Sequence, residues 1–283
     1  GNFVSSTQEE ADAAAYEQTY GFLQTTPQPR YHHLDLLIEF YPAQRRLHYE
    51  ADIQLIVPEG QEVKTLYLNF PAFVQVEALT TAAGQPLHLQ DHDEQHDLYS
   101  FDLPQPALND TLRLSLKATK QYQGFTQSGS NPQADLAAQA AFGSIRDYLP
   151  VIGYQEDKAL DENRQREDHG LSRLSARMAC VDDPTAAAGL VTGTIHISTS
   201  ADQQPLAPGQ LVRSWSQDGR NHRQYQLLRP SPFTWHMGSL VTSPFRGKTD
   251  QLDYSIWASP KHQFNLSLYQ QALTQSLAFT RSN

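Results

Sequence analysis

Apolar and polar positions alternate through most of the first half of the chain. Six segments show this period of two between short polar turns: residues 30–42, 46–58, 63–71, 74–80, 97–104 and 111–123. In the last of them, Leu112, Leu114 and Leu116 fall on one side. Because the side chains of a strand point alternately to its two faces, these segments predict half-buried strands. The pattern predicts a mainly β protein with an antiparallel sheet or sandwich.

The alternation stops in the middle of the chain and then returns. Residues 123–144 have the composition of a loop with one helical turn, and the charged segment 156–170 predicts a helix ended by Gly170. Further strands are predicted at residues 190–200, 210–217, 222–230, 233–245 and 251–260.

Both ends of the chain have helical patterns. Residues 8–24 are rich in helix formers, Thr7 with Glu10 forms a capping-box pattern, and Pro27 ends the segment. Near the other end, apolar positions at helical spacing form one stripe: Leu266, Tyr269, Ala272, Leu273, Ser276 and Leu277. Two interpretations stay open for this stripe. It packs on the protein's own sheet, or it faces a domain that follows.

These patterns divide the chain into three sections. Residues 1–25 form an N-terminal helical segment, residues 26–260 an all-β domain, and residues 261–283 a helix. The chain begins with Gly1 rather than Met, so we expect a fragment whose natural parent is longer at both ends.

Composition narrows the function classes. The 283 residues carry a net charge of −10, which argues against nucleic acid because phosphate backbones select clusters of Lys and Arg. No stretch approaches the ~20 apolar residues needed to span a bilayer, so we expect no direct membrane insertion. The single cysteine, Cys180, excludes a disulfide within the chain.

The stretch "QDHDEQHDLYSF" (90–101) contains the strongest metal-like spacing. His92 and His96 are four residues apart, and His88 lies four residues earlier. A thermolysin-type helix needs Glu directly after the first His, but Asp93 stands there. Because the flanking residues alternate, we predict a solvated hairpin tip whose histidines do not share a face, and no metal site.

Other catalytic patterns are also missing from the sequence. It contains no GxSxG, no Walker loop and no GxGxxG. Nothing near Cys180 lowers its pKa, so a structural thiol is the better interpretation than a nucleophile. Asp182 and Asp183 in "DDP" are typical of a turn, although they could also pair as acid and base. Trp215, Trp235 and Trp257 could stack on a sugar, but their strand spacing favours core or sheet-face positions.

Two long segments resemble a known family. "YLPVIGYQEDKALDENRQREDHGL" resembles the "fPaiGYdpsrELsDpreRrrrGL" segment of zinc aminopeptidase-like proteins fused to bacterial ABC transporter permeases, and "ISTSADQQPLAPGQLVRSWSQDGRNHRQY" resembles their "vsTsaDQiAiAPGyLqreWtedGrryf". The signature residues that carry the match are Pro150, Gly153, Tyr154, Arg164, Asp202, Gln203, Pro208, Gly209, Trp215, Gly219 and Arg220.

More distantly, the chain is similar to the aminopeptidase N superfamily over about residues 18–283. "SARMACVDDPTAA" resembles its "ARraFPCwDEPalKA", and "SPKHQFNLSLYQQALTQSLAF" resembles the first helix of the catalytic domain. The superfamily's amine-anchoring residue lies ahead of the "AR…DEP" motif, where this chain has "AAFGSIRDY", and no residue here is assigned to it.

The resemblance implies an N-terminal domain without catalytic groups of its own. In the superfamily this part is a saddle-like all-β domain that packs against a thermolysin-like domain, which supplies the zinc, the HExxH histidines and the Glu base. None of those motifs occurs here, so we expect no enzyme activity and no cofactor in this chain, with zinc only in the parent's catalytic domain.

The expected fold is therefore an antiparallel, saddle-like β-sandwich with short N- and C-terminal helices. The expected partner is the catalytic domain of the same parent chain, together with peptides or transporter components. We expect an extracytoplasmic, periplasmic location and a membrane-anchored parent. The alternatives are a stand-alone β-sandwich binding module for carbohydrate or protein, and an enzyme whose metal site is assembled from scattered His and Asp.

Overall fold

The structure, a computed structural model, describes residues 6–108, 111–122, 136–137, 140–174, 190–248, 253–260 and 264–282. Its α-helices are α1 (Ser6–Tyr20), α2 (Asn163–Asp168) and α3 (Leu266–Ser282). Its strands, in chain order, are β1 (Arg30–Tyr41), β2 (Arg46–Ile56), β3 (Glu62–Asn69), β4 (Val74–Thr81), β5 (His88–Asp93), β6 (Leu98–Leu108), β7 (Thr111–Gln121), β8 (Leu136–Ala137), β9 (Ala140–Ser144), β10 (Val151–Ile152), β11 (Leu190–Ser200), β12 (Gln204–Leu206), β13 (Gln210–Gln217), β14 (Arg220–Pro232), β15 (Thr234–Gly238), β16 (Val241–Lys248) and β17 (Asp253–Ala258). The protein is mainly β, as predicted.

A seven-stranded sheet is the largest layer. Its strand order is β13-β14-β11-β1-β2-β7-β4, and its neighbours are antiparallel except β1 and β11, which run parallel. The register of that parallel pair places His33 opposite Thr192. β13 and β4 form the two edges.

A second sheet, of order β10-β3-β6-β5, contributes the facing side of the core. The alternate residues Leu34, Leu36, Ile38 and Phe40 of β1 are buried and belong to the same apolar cluster as residues of β3 and β6. The period of two in the sequence arises because one side of each strand faces this core. The arrangement is a β-sandwich with helices near both termini.

Two small sheets complete the described part of the chain. One has the order β12-β15-β9-β8, and the other pairs β16 with β17. Trp235 of β15 is 1% exposed and lies against Phe40, with ring centroids 4.4 Å apart. The small four-stranded sheet therefore joins the main core.

Several local predictions were wrong. Residues 136–137 and 140–144 are strands rather than a helical turn, and the strand predicted at 233–245 is two strands separated by a turn in which the Leu240 N–H donates to the Gly238 carbonyl. The segment predicted as one helix from 156 to 170 forms a 3-10 turn at Glu156–Lys158 and then α2, because Ala159 and Glu162 adopt extended backbone angles. Gly170 does end the segment, with φ +71°.

The apolar stripe of α3 is unevenly buried. Leu266 is buried and Leu273 is half-buried, but Tyr269 is 61% exposed. Both interpretations of this stripe stay open. The division at residues 25 and 260 stays a prediction.

Candidate functional site

A cleft of about 830 Å³ lies beside the N-terminal helix. The 3-10 turn Gly21–Gln24 forms one wall and the segment after β10 forms the other. Its polar lining includes Gln28, Tyr154, Glu156, Asp161 and Arg166. The signature residues Gly153 and Tyr154 therefore lie in the wall of this cleft.

A buried ion pair holds α1 against this wall. Arg166 and Glu17 are 5% and 8% exposed, and the guanidinium donates to both carboxylate oxygens, with Nη1 at 2.5 Å from Oε2. Arg166 also donates to the carbonyls of Leu160, at 2.9 Å, and Ser172, at 2.7 Å. Each guanidinium nitrogen thus has an acceptor, so the charge is buried without an unsatisfied donor.

Tyr154 lies against α1 through an aromatic contact. Its ring centroid is 5.5 Å from that of Tyr16, whose hydroxyl accepts a hydrogen bond of 2.8 Å from the Gln155 N–H. Burial raises the pKa of Tyr16 to about 12 and also raises the pKa of Tyr154. Gly153 has φ +78°, and a Cβ there would lie 2.9 Å from Gln28 Cγ. Only glycine suits that backbone position without displacing the cleft wall.

The stretch that resembled a metal motif forms a hairpin, as predicted, but its tip is not simply solvated. β5 ends at Asp93, and His96 in the turn is 8% exposed. The Asp93 Oδ2 lies 2.7 Å from His96 Nδ1 and accepts a 2.7 Å hydrogen bond from Tyr20 Oη of α1. Burial would raise the pKa of Asp93, but the hydrogen bonds from His96 and Tyr20 lower it to about 2. The prediction of a solvated tip missed this contact because it depends on α1, far away in sequence.

The three histidines of that hairpin occupy different surroundings. His88 is exposed, His92 stacks on Tyr99 with centroids 3.8 Å apart, and His96 lies 5.5 Å from Tyr16. They do not gather around one point, as the strand interpretation predicted. Among the residues that the structure describes, no group of three or more His, Cys, Asp or Glu side chains is placed to hold a metal ion.

A second set of signature residues surrounds one end of β11 and β14. Arg220 donates to the Phe40 carbonyl at 2.9 Å and to Ser198 Oγ at 2.9 Å, and its guanidinium lies 4.5 Å above the Tyr41 ring. Gln203 is 2% exposed and accepts through Oε1 from Thr199 Oγ1 at 3.1 Å. These contacts fix the end of the sheet, which is a structural role.

The remaining signature residues form turns and supports. Gly209 has φ +98°, and a Cβ would lie 2.5 Å from the Gln226 carbonyl oxygen. Gly219, at φ +71°, closes the β13–β14 hairpin. The Pro150 carbonyl accepts a 2.8 Å hydrogen bond from Tyr31 Oη. Asp202 is exposed in a turn and Pro208 is half-buried.

The structure thus brings the signature residues into two groups at different places, and it leaves Arg164 exposed on α2. Arg166, two residues further, carries the buried ion pair that sequence reasoning missed. Both arginines belong to one charged run. They differ in the face of α2 on which they lie, and Arg166 lies on the face that contacts α1. Cys180 and the pair Asp182 and Asp183 lie outside the described residues.

The three tryptophans lie in different surroundings. Trp235 is a core residue, as its strand position predicted. The Trp215 ring stacks on His222, with centroids 5.0 Å apart, and the Arg213 guanidinium lies 4.5 Å from its centroid. Arg223 lies 4.6 Å over Trp257. Trp215 and Trp257 are half-buried, and each ring contacts a neighbouring side chain. The carbohydrate alternative stays a prediction.

The described helices include none that is both long and apolar enough to cross a lipid bilayer. The fold and site therefore define a β-sandwich domain with a polar cleft beside its N-terminal helix.

Comparison with known proteins places this sandwich in a recognised fold. No family model matches the chain, and no curated protein matches it. Among solved structures, it is similar to an M1 zinc metallopeptidase from Deinococcus radiodurans, with a TM-score of 0.54 and 16% identity, over 81% of this chain and 47% of that chain. A point mutant of the same enzyme gives a TM-score of 0.52 and 15% identity, over 81% and 47%.

A two-domain form of that mutant bound to L-tryptophan gives a TM-score of 0.50 at 15% identity, over the same shares of the two chains. The chain thus spans about half the length of the structures that it resembles. At 15–16% identity the likeness shows a shared fold. The activity named for those enzymes is a property of those enzymes and is not carried over to this chain by the likeness.

Proposed function

We propose that this chain is the N-terminal, non-catalytic domain of a zinc aminopeptidase-like protein. The observation that carries the proposal is the fold likeness to an M1 zinc metallopeptidase, which covers 81% of this chain and only 47% of the other. Its counterpart in the proposal is a catalytic domain of the same parent chain. The absence of a three-ligand metal cluster among the described residues is consistent with zinc being held elsewhere.

The acidic lining of the cleft supports a role in contacting bound peptide. Glu156 and Asp161 give it acidic groups, and the Arg166 charge is already neutralised by Glu17. An acidic, partly apolar cleft suits the amino end of a peptide, whose ammonium group needs oxygen acceptors. In this role a rigid β-domain limits which chain ends reach the neighbouring zinc.

The parent in this proposal is fused to an ABC transporter permease, and the domain is extracytoplasmic. The support is the two signature segments at 148–171 and 198–220. Interaction with transporter components is then the alternative task of the same domain.

The first experiment measures zinc in the purified chain by elemental analysis, with and without chelation, and then tests hydrolysis of aminoacyl-anilides. We expect substoichiometric zinc and no turnover from this chain, and stoichiometric zinc from the whole parent protein. Near-stoichiometric zinc that survives chelation, with turnover lost in His92→Ala, would replace the proposal with the enzyme hypothesis.

A second experiment separates the two tasks. Hydrogen–deuterium exchange is followed on the whole parent with and without a peptide hydroxamate that binds zinc. Slower exchange in residues 21–28 and 152–161 supports a wall of the peptide cleft. Unchanged exchange throughout residues 6–174 would refute that role and leave the interaction role.

A further inference from the structure

The hairpin β13–β14 (residues 210–232) forms one edge of the seven-stranded sheet. Its turn has Asp218 and Gly219 at φ +51° and +71°, the angles of a tight two-residue hairpin. β13 pairs with β14 on its inner side. Within the described part of the chain, no backbone hydrogen bond reaches β13 from its outer side. The strand therefore presents a row of backbone donors and acceptors to solvent.

The charge of this hairpin is opposite to that of the whole protein. Residues 210–232 contain four arginines and one aspartate, in a chain of net charge −10. The four arginines are Arg213, Arg220, Arg223 and Arg229. A local basic surface on an acidic protein favours a partner that carries carboxylates.

None of these four arginines has a carboxylate partner within 4.0 Å among the described residues. Arg220 donates to carbonyl and hydroxyl oxygens, and Arg223 donates to Gln204 Oε1 at 2.8 Å. Arg213 lies over Trp215, and Arg229 is exposed. By contrast, Lys117 and Arg166 elsewhere are paired with glutamates. The positive charge of the hairpin is therefore not neutralised locally.

Large apolar side chains are exposed on the same hairpin. Leu211, Val212 and Leu228 are 47%, 57% and 67% exposed. The strand has no Lys or Pro, the residues that commonly protect an edge. A bulge between Leu211 and Arg213 interrupts the regular ladder, so the regular part of the edge is Arg213–Gln217.

One end of the opposite edge, at Leu79–Thr81 of β4, is covered by the segment that follows it. The Leu87 N–H donates to the Leu79 carbonyl at 3.1 Å, and the Thr81 N–H donates to the Gln85 carbonyl at 2.8 Å. These bonds cover the end of β4. Among the described residues β13 has no such cover, and the basic charge of its hairpin distinguishes it further from β4.

The side chains behind this edge are held in place. Trp215 stacks on His222, and His196 Nε2 lies 3.2 Å from His222 Nδ1. Burial and the neighbouring His222 lower the pKa of His196, which keeps this ring neutral near pH 7. A preorganised edge loses little side-chain entropy when another strand pairs with it.

We propose that β13 is a docking edge for an extended, acidic segment of a partner protein, which pairs along Arg213–Gln217 as an eighth strand. Backbone hydrogen bonds supply the affinity, and carboxylates near Arg213 supply the selectivity. This proposal depends on residues 210–232 and their neighbours and is independent of the zinc-peptidase proposal.

The test uses a short acetylated peptide in which Glu and Val alternate, long enough to span Arg213–Gln217. Binding to the whole chain is followed by anisotropy of a label on the peptide. We expect saturable binding that weakens as salt is raised. Two control peptides keep the length: one replaces each Glu by Lys, and one carries N-methyl groups on alternate residues, which removes its backbone donors.

Matched variants locate the site. Arg213→Glu should weaken binding of the Glu–Val peptide about fivefold or more, because it replaces attraction by repulsion at the first residue of the pairing segment. Arg113→Glu makes the same charge change at an exposed position on β7 and should leave the affinity unchanged. Circular dichroism spectra that match the unchanged protein confirm that both variants fold.

Several results would overturn the proposal. Equal affinity of the N-methylated peptide would show charge attraction without strand pairing, and equal affinity of the Lys peptide would remove the acidic partner. Tighter binding of single-stranded DNA, abolished by Arg213→Glu, would make the surface a polyanion site. A dimer in sedimentation that Arg213→Glu dissociates, with no peptide binding, would make the occupant a second copy of this chain.

Discussion

The ion pair between Glu17 and Arg166 provides the sharpest test of how α1 is attached. Removing one partner of a buried pair leaves an uncompensated charge, which costs about 3–5 kcal/mol. Glu17→Gln keeps the size of the side chain and removes its charge. Arg166 keeps its two backbone acceptors, the Leu160 and Ser172 carbonyls, so the lower end of that range applies. We expect a loss of about 3 kcal/mol in the free energy of unfolding.

Urea denaturation followed by circular dichroism measures this loss, and hydrogen exchange of the α1 amides reports whether the helix detaches first. Glu10→Gln is the matched control. Glu10 lies on the same helix and contacts His169 at 3.2 Å, but it is partly exposed, so its loss should stay within about 1 kcal/mol.

The double variant Glu17→Gln, Arg166→Met tests the cause. Because both charges are then absent, the loss should be clearly smaller than the sum of the two single losses, with a coupling of about 2 kcal/mol. If Glu17→Gln lowers the free energy of unfolding no more than Glu10→Gln does, or if the two single losses simply add, the buried ion pair does not hold α1 in place.

Three further predictions follow from single positions. Gly209→Ala should lower the free energy of unfolding by about 2–4 kcal/mol, because its Cβ would lie 2.5 Å from the Gln226 carbonyl oxygen. The control Gly84→Ala, which has open space at φ +75°, should lower it by about 1 kcal/mol. Thermal unfolding compares the two variants, and equal shifts in melting temperature would contradict the clash. The pKa of Asp93 is lowered from 3.8 to about 2, so the stability that its carboxylate contributes is complete above pH 3.8 and is lost as the pH falls toward 2. Urea titrations between these pH values should show that Asp93→Asn lacks about 1–2 kcal/mol of this pH dependence. If the free energy of unfolding falls equally with pH in the variant, the assignment to Asp93 is wrong. Arg220→Lys should lower the free energy of unfolding by about 1–2 kcal/mol, because the Lys ammonium lacks the planar guanidinium that donates to the Phe40 carbonyl and Ser198 Oγ. An unchanged urea midpoint would show that the guanidinium is not needed.

The strands were predictable because one physical rule governs them. Each strand of the sandwich buries one face, so the period of two in segments such as 30–42 and 111–123 survives in the sequence. The parallel contact of β1 with β11 leaves no such signal, because pairing direction depends on the whole topology rather than on either strand.

The surroundings of the cleft were much less accessible from the sequence. The buried position of Arg166 depends on Glu17, which lies 149 residues away, and the tie between Asp93 and Tyr20 spans 73 residues. A local pattern contains no information about such partners. Charged residues are usually exposed, so a run such as "ENRQRED" predicts a solvated helix, and the one buried arginine looks like its neighbours.

The parallel pairing of β1 with β11 has a consequence for biosynthesis. His33 and Thr192 face each other although 159 positions separate them, whereas β1 and β2 are joined by a local hairpin. A ribosome that adds ~5–20 residues per second needs roughly 8–30 s to cover that distance. During this interval the edge of β1 that later pairs with β11 has no partner strand, and its backbone donors and acceptors are open to any extended chain nearby. Any delay in synthesis before residue 190 would lengthen the vulnerable period, and a chaperone that covers unpaired strand edges would protect the nascent half-sheet.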